Sequence, residues 1–399
     1  MHLLATLRSG HWPSLAGAWL HLTVSFMVWL LVGAMGIQLA KDLELSDAQI
    51  SWLVALPLFG GACFRMVAGW SADWIGARPT ALAILGAELL VLLWGRFGVS
   101  TYIEALAFSL CLGVAGASFA VSLPIAGRAY PPAAQGLVLG LAASGNIGTV
   151  LVLFFAPRWA ASLDWHHVCG LMAGLVGLTL ATFVWLVPQE RSSAVPHTVE
   201  WWHSAALLIR RRSAYWLCFL YGVTFGGFVG LCSVLPLLLH DVYRLDAVQA
   251  GGVAALCGLL GSVIRPLGGH VADRQGGLRT LHYVLPVIAG SVVAVVSPSF
   301  PMAITMMVIA TGAMGFGNGV VFQLVAEWFP KDIGLASGVV GAAGAAGGFL
   351  LPIVMGTVKG MGGSYEPGLW FFAGLLMAAW GTVIMALRTR QATVTDPSS

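Results

Sequence analysis

Charge is scarce in this chain. Lys, Arg, Asp and Glu together make up 9% of its 399 residues, while 58% are hydrophobic; a soluble domain carries about 25% charge. The balance excludes an ordinary soluble fold and means an integral membrane protein. The formal net charge of +3 is small and no basic tract alternates with aromatics, so no nucleic-acid partner is expected. Six cysteines (Cys63, Cys111, Cys169, Cys218, Cys232 and Cys257) all lie in apolar stretches, and no C-x-x-C pair occurs. They read as small core residues rather than disulfides or metal ligands. No nucleophile–base pair, HExxH, Walker motif or metal-ligand cluster stands out, so neither an enzyme nor a cofactor is expected. His166-His167 alone is weak and falls in an expected outer loop.

What the chain has is long apolar runs. Stretches of 18 or more recur along its length, each able to cross a hydrocarbon core of about 30 Å. Twelve spans are expected: 17–39, 50–70, 78–97, 105–127, 136–160, 168–187, 214–239, 248–272, 280–297, 301–325, 334–358 and 368–388. The first is too long for a signal h-region and is expected to be a retained helix. The longest polar stretch, containing Arg191, Arg210, Arg211 and Arg212, separates two six-helix halves, giving units 1–187 and 214–399 around a linker at 188–213. The fold class expected is all-α, polytopic, with two pseudo-symmetric six-helix bundles.

Basic residues orient it. With both termini cytoplasmic, the inner segments carry Arg8, Arg78, Arg128, Arg191, Arg210, Arg211, Arg212, Arg274, Arg279, Lys331, Arg388 and Arg390. The outer segments carry only Lys41, Arg96, Arg158, Arg244 and Lys359. Such asymmetry sets the orientation.

The two remaining basic residues, Arg65 and Arg265, lie inside apolar spans, 200 residues apart. A charge there costs about 2.5–3.5 kcal/mol on insertion scales and needs a reason. Each is followed by a matching motif: Gly69-x-x-x-Asp73-x-x-Gly76-x-Arg78, and Gly269-x-x-x-Asp273-Arg274-x-Gly276-Gly277-x-Arg279. The spacing is an internal repeat. An acid and a base at such a turn can latch two helices, entered through a Gly that allows close approach. One arginine alone could snorkel to the interface. Two equivalent ones without matched acids point instead to an anion, because a forked guanidinium fits a planar oxyanion better than an ammonium does. At about 4 Å and an effective dielectric near 20, each such pair gains on the order of 4 kcal/mol.

Two spans are rich in glycine: Gly136 to Thr149, which contains Gly145, Asn146 and Gly148, and Gly334 to Gly348, which contains Gly338, Gly341 and Gly344. Three- and four-residue spacing lines one helical face and lets backbones approach. Asn146 adds an amide that a purely packing surface does not need.

The turn motif, duplicated around a mid-chain linker, resembles the cytoplasmic loop motif of the major facilitator superfamily, with Trp74 where the family often has Arg. The glycine faces narrow the resemblance to its nitrate/nitrite porter family (NarK/NasA type), whose signatures look like Gly140–Thr149 and Gly338–Gly348 here. The resemblance implies that Arg65 and Arg265 clamp the anion, with Asn146, Gly145 and Gly344 beside it. It implies further that Tyr221 and Phe225, from Tyr221-Gly-Val-Thr-Phe225, contact the ion, and that Phe119, from Gly116-Ala-Ser-Phe119, is the opposing ring. The run Gly315-Phe-Gly-Asn318-Gly319-Val-Val-Phe322-Gln323 is family-like; Ala326-Glu327-Trp328, Ala345 and Ala346 depart from the pattern.

The expected activity is secondary transport of nitrate and/or nitrite across the cytoplasmic membrane, for nitrate assimilation, by a monomer in the bilayer. Coupling is open between proton symport and nitrate/nitrite exchange. His21, Glu88 and Glu327 are the candidate proton carriers, with Glu88 expected at a peripheral position. Another small monovalent anion (nitrite alone, formate or a short carboxylate) is the alternative substrate.

Overall fold

A computed structural model describes residues 9–131, 134–189, 211–329 and 333–395. Among them there is no strand. Most of the expected linker 188–213, together with Arg8, Arg191, Arg210 and Lys331, lies outside the described residues.

Among the described residues ten helices are long and apolar enough to cross a membrane. They are α2 (Asp47–Trp74), α3 (Ala77–Phe97), α4 (Tyr102–Arg128), α5 (Val138–Ser162), α6 (Trp165–Leu186), α7 (Arg212–Tyr243), α8 (Ala247–Gln275), α10 (Phe300–Trp328), α11 (Ile333–Gly362) and α12 (Glu366–Thr395). Two further segments do not meet both conditions of length and hydropathy. One is α9 (Gly277–Val293). The other, α1, breaks at Leu30 and Met35 into Trp12–Trp29, Leu31–Ala34 and Gly36–Asp42. The protein is thus a multi-pass, all-helical membrane protein, and its segments fall where the apolar runs predict them.

The repeat reaches further than the turn motif. Leu45 and Leu245 precede capping boxes at Ser46/Gln49 and Asp246/Gln249, which start α2 and α8. Before them stand Glu44 and Arg244, the two non-glycine residues with positive φ (50° and 57°) among the described residues. At the opposite ends of α2 and α8, Gly76 and Gly276 take φ of +100° and +87°, which only glycine adopts without strain. Thr80 and Thr280 donate back to the carbonyls of those glycines at 2.9 and 3.0 Å. Every one of these pairs is 200 residues apart. The same local chemistry therefore builds the same helix start and stop twice.

Two seams join the sequence halves: α2 lies along α11, and α5 along α8. The repeat exchanges α2 with α8 and α5 with α11, so it carries one seam into the other. Within the first half α3 packs on α6; within the second α9 packs on α10 and α12. Because lipid is as apolar as a leucine side chain, such seams depend on close packing rather than on water exclusion.

Candidate anion-binding site

The helices that carry the predicted site residues are not regular where those residues sit. In α4 a 3₁₀ turn, Gly113–Ala117, precedes Phe119. In α5 another, Ser144–Ile147, holds Asn146. Directly after Tyr221, α7 widens into a π turn, Gly222–Gly226, which includes Phe225. Between Val263 and Arg265, α8 breaks, because Pro266 has no N–H to continue the ladder. Glycine and proline weaken the α-helical preference at each place, and such irregular turns cluster where side chains or carbonyls must be re-aimed.

Arg65 is buried and held by backbone oxygens. Its Nε and Nη2 donate to the Gly116 carbonyl at 3.1 and 2.7 Å, and its Nη1 donates to the Gly341 carbonyl at 2.6 Å. The guanidinium also lies 5.6 Å from the Trp29 ring and 5.4 Å from that of Phe119. Arg265 is held less fully. Its Nη2 donates to the Tyr221 hydroxyl at 3.1 Å and its guanidinium lies 5.5 Å from the Phe225 ring. Its Nη1 is enclosed without a hydrogen-bond partner.

Four rings connect the arginines. Tyr221 and Phe225 stack at 4.9 Å with planes 3° apart. Phe322 of α10 stands edge-on to Tyr221 at 5.0 Å and meets Phe119 at 6.1 Å. Phe322 thus stands as a ring between Phe119 and the Tyr221–Phe225 stack. Gly344 of α11 supports the stack from behind: a Cβ there would come within 2.6 Å of Tyr221 Cε1 and 2.9 Å of Phe225 Cδ1.

Both arginines line one cavity of about 1510 Å³, with Phe119, Phe322, Asn318 and Ser262. From there the cavity runs past Gly69 and Gly269 to the exposed Asp73, Asp273 and Glu327, so it opens at the end that carries the motif turns. The other end is shut. Trp52 and Phe59 of α2 pack on Phe349 of α11 at 5.9 and 5.3 Å. Beyond them Lys359 of α11 pairs with Asp47 of α2 at 2.6 Å and with Asp241 of α7. Tyr365 donates to Asp241 at 2.5 Å; burial, then the neighbouring Asp241, push its phenol above the usual range, so it stays a donor.

The remaining expectations fall unevenly. Asn146 is buried, both its amide atoms lack a partner, and it is not part of the cavity wall. Gly145 packs on the Trp19 carbonyl and Leu22 of α1. In the turn motif Arg78 reaches the end of α6, donating to the Val187 and Val184 carbonyls at 2.7 and 3.3 Å, where a cation offsets the helix dipole. Asp273 and Arg274 stand exposed. His21 is buried in the first half, 2.7 Å from Ser122 Oγ, and Glu88 is fully buried rather than peripheral. Neither is part of the cavity wall. Trp29, Ser262, Asn318 and Phe322 were missed as site residues. The signal that could have found one of them is the repeat: Asn318 is 200 residues from Ser118, and both are fully buried polar residues without a partner.

Apolar helices in two repeats, seamed together around a cavity that reaches one end of the seams, define the major facilitator fold. The chain belongs to the Major Facilitator Superfamily, whose family model matches residues 18–326. It is 33% identical over 373 residues to a Mycobacterium tuberculosis protein named "Probable nitrate/nitrite transporter NarK2", covering 89% of this chain and 91% of the relative. A Bacillus subtilis relative named "Nitrite extrusion protein" is 29% identical over 382 residues, covering 95% and 96%. One from Thermus thermophilus, named "Probable nitrate/nitrite antiporter NarK1", is 29% identical over 390 residues, covering 90% and 87%. Among solved structures, a D-xylose-proton symporter superposes with a TM-score of 0.74 at 16% identity, covering 93% of this chain and 97% of that one. The last likeness concerns the fold alone.

Proposed function

We propose that this protein carries nitrate and nitrite across the cytoplasmic membrane by alternating access, exchanging one for the other. One observation carries the reading: two repeat-related arginines, one from each half, stand at the closed end of the same cavity with aromatic rings between them. Arg265, with Nη1 unmet on the cavity wall, is placed to take an incoming anion. Flat rings and forked donors suit a small planar oxyanion, and the names of the relatives give its class.

Arg65 and Arg265 are the clamp, with Tyr221, Phe225, Phe119 and Phe322 as its walls. Gly344 and Gly145 set how closely the helices approach behind them, and Asn146 supplies an amide when the α5–α8 seam shifts. The halves 1–187 and 214–399 rock about the site, with the Gly69–Arg78 and Gly269–Arg279 turns at the inner ends of the seams. Both termini are cytoplasmic by the excess of basic residues in those segments, so the cavity faces inward here. The whole site lies in one chain, so a monomer suffices.

Exchange is favoured over proton symport by placement. His21 and Glu88 are buried inside the first half, away from the cavity wall, and Glu327 stands at the mouth, where Gln323 donates to it at 3.3 Å. Two guanidiniums without an anion repel each other in a low dielectric, so the empty carrier resists closing. One-for-one exchange of monovalent anions also avoids the cost of about 2.3 kcal/mol per charge per 100 mV that uptake alone would meet. The test is nitrate uptake into proteoliposomes, with and without internal nitrite and with and without a pH gradient. Acceleration by internal nitrite alone supports exchange. Dependence on the gradient alone overturns it in favour of symport, and equal competition by formate overturns the substrate class.

A further inference from the structure

The two halves of the clamp are not equally satisfied. All three guanidinium nitrogens of Arg65 donate to carbonyl oxygens. Around Arg265 the polar groups are unmet. Its Nη1, the Ser262 hydroxyl and both amide atoms of Asn318 are enclosed without partners, and all three residues belong to the cavity wall. Ser262 precedes Arg265 by three residues, so the two share a helical face at the break in α8. Asn318 stands beside Gly319, whose missing Cβ lets α10 rest directly on the Arg265 carbonyl. Its repeat-related residue, Ser118, is equally buried but is not part of the wall.

A buried amide, hydroxyl and guanidinium N–H left unmet together are costly, and on a cavity wall they are placed to take partners from its contents. We propose that Asn318 Nδ2, Ser262 Oγ and Arg265 Nη1 form a donor corner that takes the third oxygen of a trigonal oxyanion. The inference rests on the nitrate/nitrite reading above and deepens it. The Arg65 edge and the Arg265–Tyr221 edge serve two oxygens, which is all that nitrite has. The corner on α8 and α10 gains a partner only when a third oxygen is present. It therefore sets the preference of the site for nitrate over nitrite, and Asn318 and Ser262 are specificity residues rather than part of the charge clamp.

The test is binding of sodium nitrate and of sodium nitrite to the purified full-length protein in detergent, by isothermal titration. Asn318→Ala should weaken nitrate roughly tenfold, the worth of one hydrogen bond to a charged partner, and nitrite by less than about twofold. Ser262→Ala should act in the same direction. Equal loss for both anions marks Asn318 as a packing residue and overturns the proposal, as does no loss for either. Should Asn318→Ala not fold, Ser262→Ala and Asn318→Ser carry the same comparison, and an unchanged nitrate-to-nitrite ratio overturns it. If the unaltered protein binds neither anion, the substrate reading itself has failed, an outcome visible before any variant is made.

Discussion

Arg65 of α2 donates through Nη1 to the Gly341 carbonyl of α11, 2.6 Å away and 276 residues further along the chain. The cation of one half is thereby tied to the backbone of the other. No such contact holds Arg265, whose second nitrogen goes to Tyr221 of its own half. The pair is equivalent in sequence and unequal in setting. An anion that draws Arg65 off Gly341 would loosen the α2–α11 seam at the same moment, which couples binding to movement.

Replacing either arginine by lysine should abolish nitrate uptake into proteoliposomes while leaving insertion and monodispersity intact. Lysine keeps the charge but loses the fork with which Arg65 reaches Gly116 and Gly341 and can present paired donors to an anion. Near-normal uptake by both variants would sink the clamp.

Gly344→Ala should impair nitrate binding, because its methyl group would press into the Tyr221–Phe225 stack. Overpacking of this kind costs about 1–3 kcal/mol, so a loss of affinity of roughly tenfold is expected. Gly86→Ala in α3, where a Cβ meets nothing within 4 Å, is the matched control. Equal effects of the two on nitrate titrations would separate the stack from the site.

Lys359→Ala should favour opening of the shut end. Lys359 joins Asp47 of α2 to Asp241 of α7, but Asp47 is half-exposed, so the network is worth about 1 kcal/mol rather than the value of a dry pair. That corresponds to a shift of roughly fivefold in the population of the outward-open state. Distances between spin labels on the outer ends of α2 and α11 would report it. Unchanged distance distributions would show that the aromatic contacts of Phe349 alone hold that end closed.

Glu88→Gln should leave nitrite-driven nitrate uptake, and its insensitivity to a pH gradient, unchanged. The substitution keeps the volume of a fully buried side chain that is not part of the cavity wall. A selective loss of gradient-driven uptake would instead make Glu88 a proton carrier.

Sequence by itself determined the membrane class, because a chain this poor in charge has no soluble solution. It determined nearly all the helix positions, because each backbone must satisfy its own hydrogen bonds within lipid and the apolar runs measure out the spans. It also marked Arg65 and Arg265, since an intramembrane charge and a repeat are both visible along a line. What it could not decide was which residues meet across the seams. The pairing of Phe119 with Phe322, the unmet groups around Arg265 and the reach of Arg78 to α6 depend on how ten or more helices pack at once. Packing between apolar surfaces in lipid is set by shape rather than by a periodicity that can be read. Asn146 shows the limit from the other side: its polarity was legible, but its burial away from the lining of the cavity depends on how α5 packs.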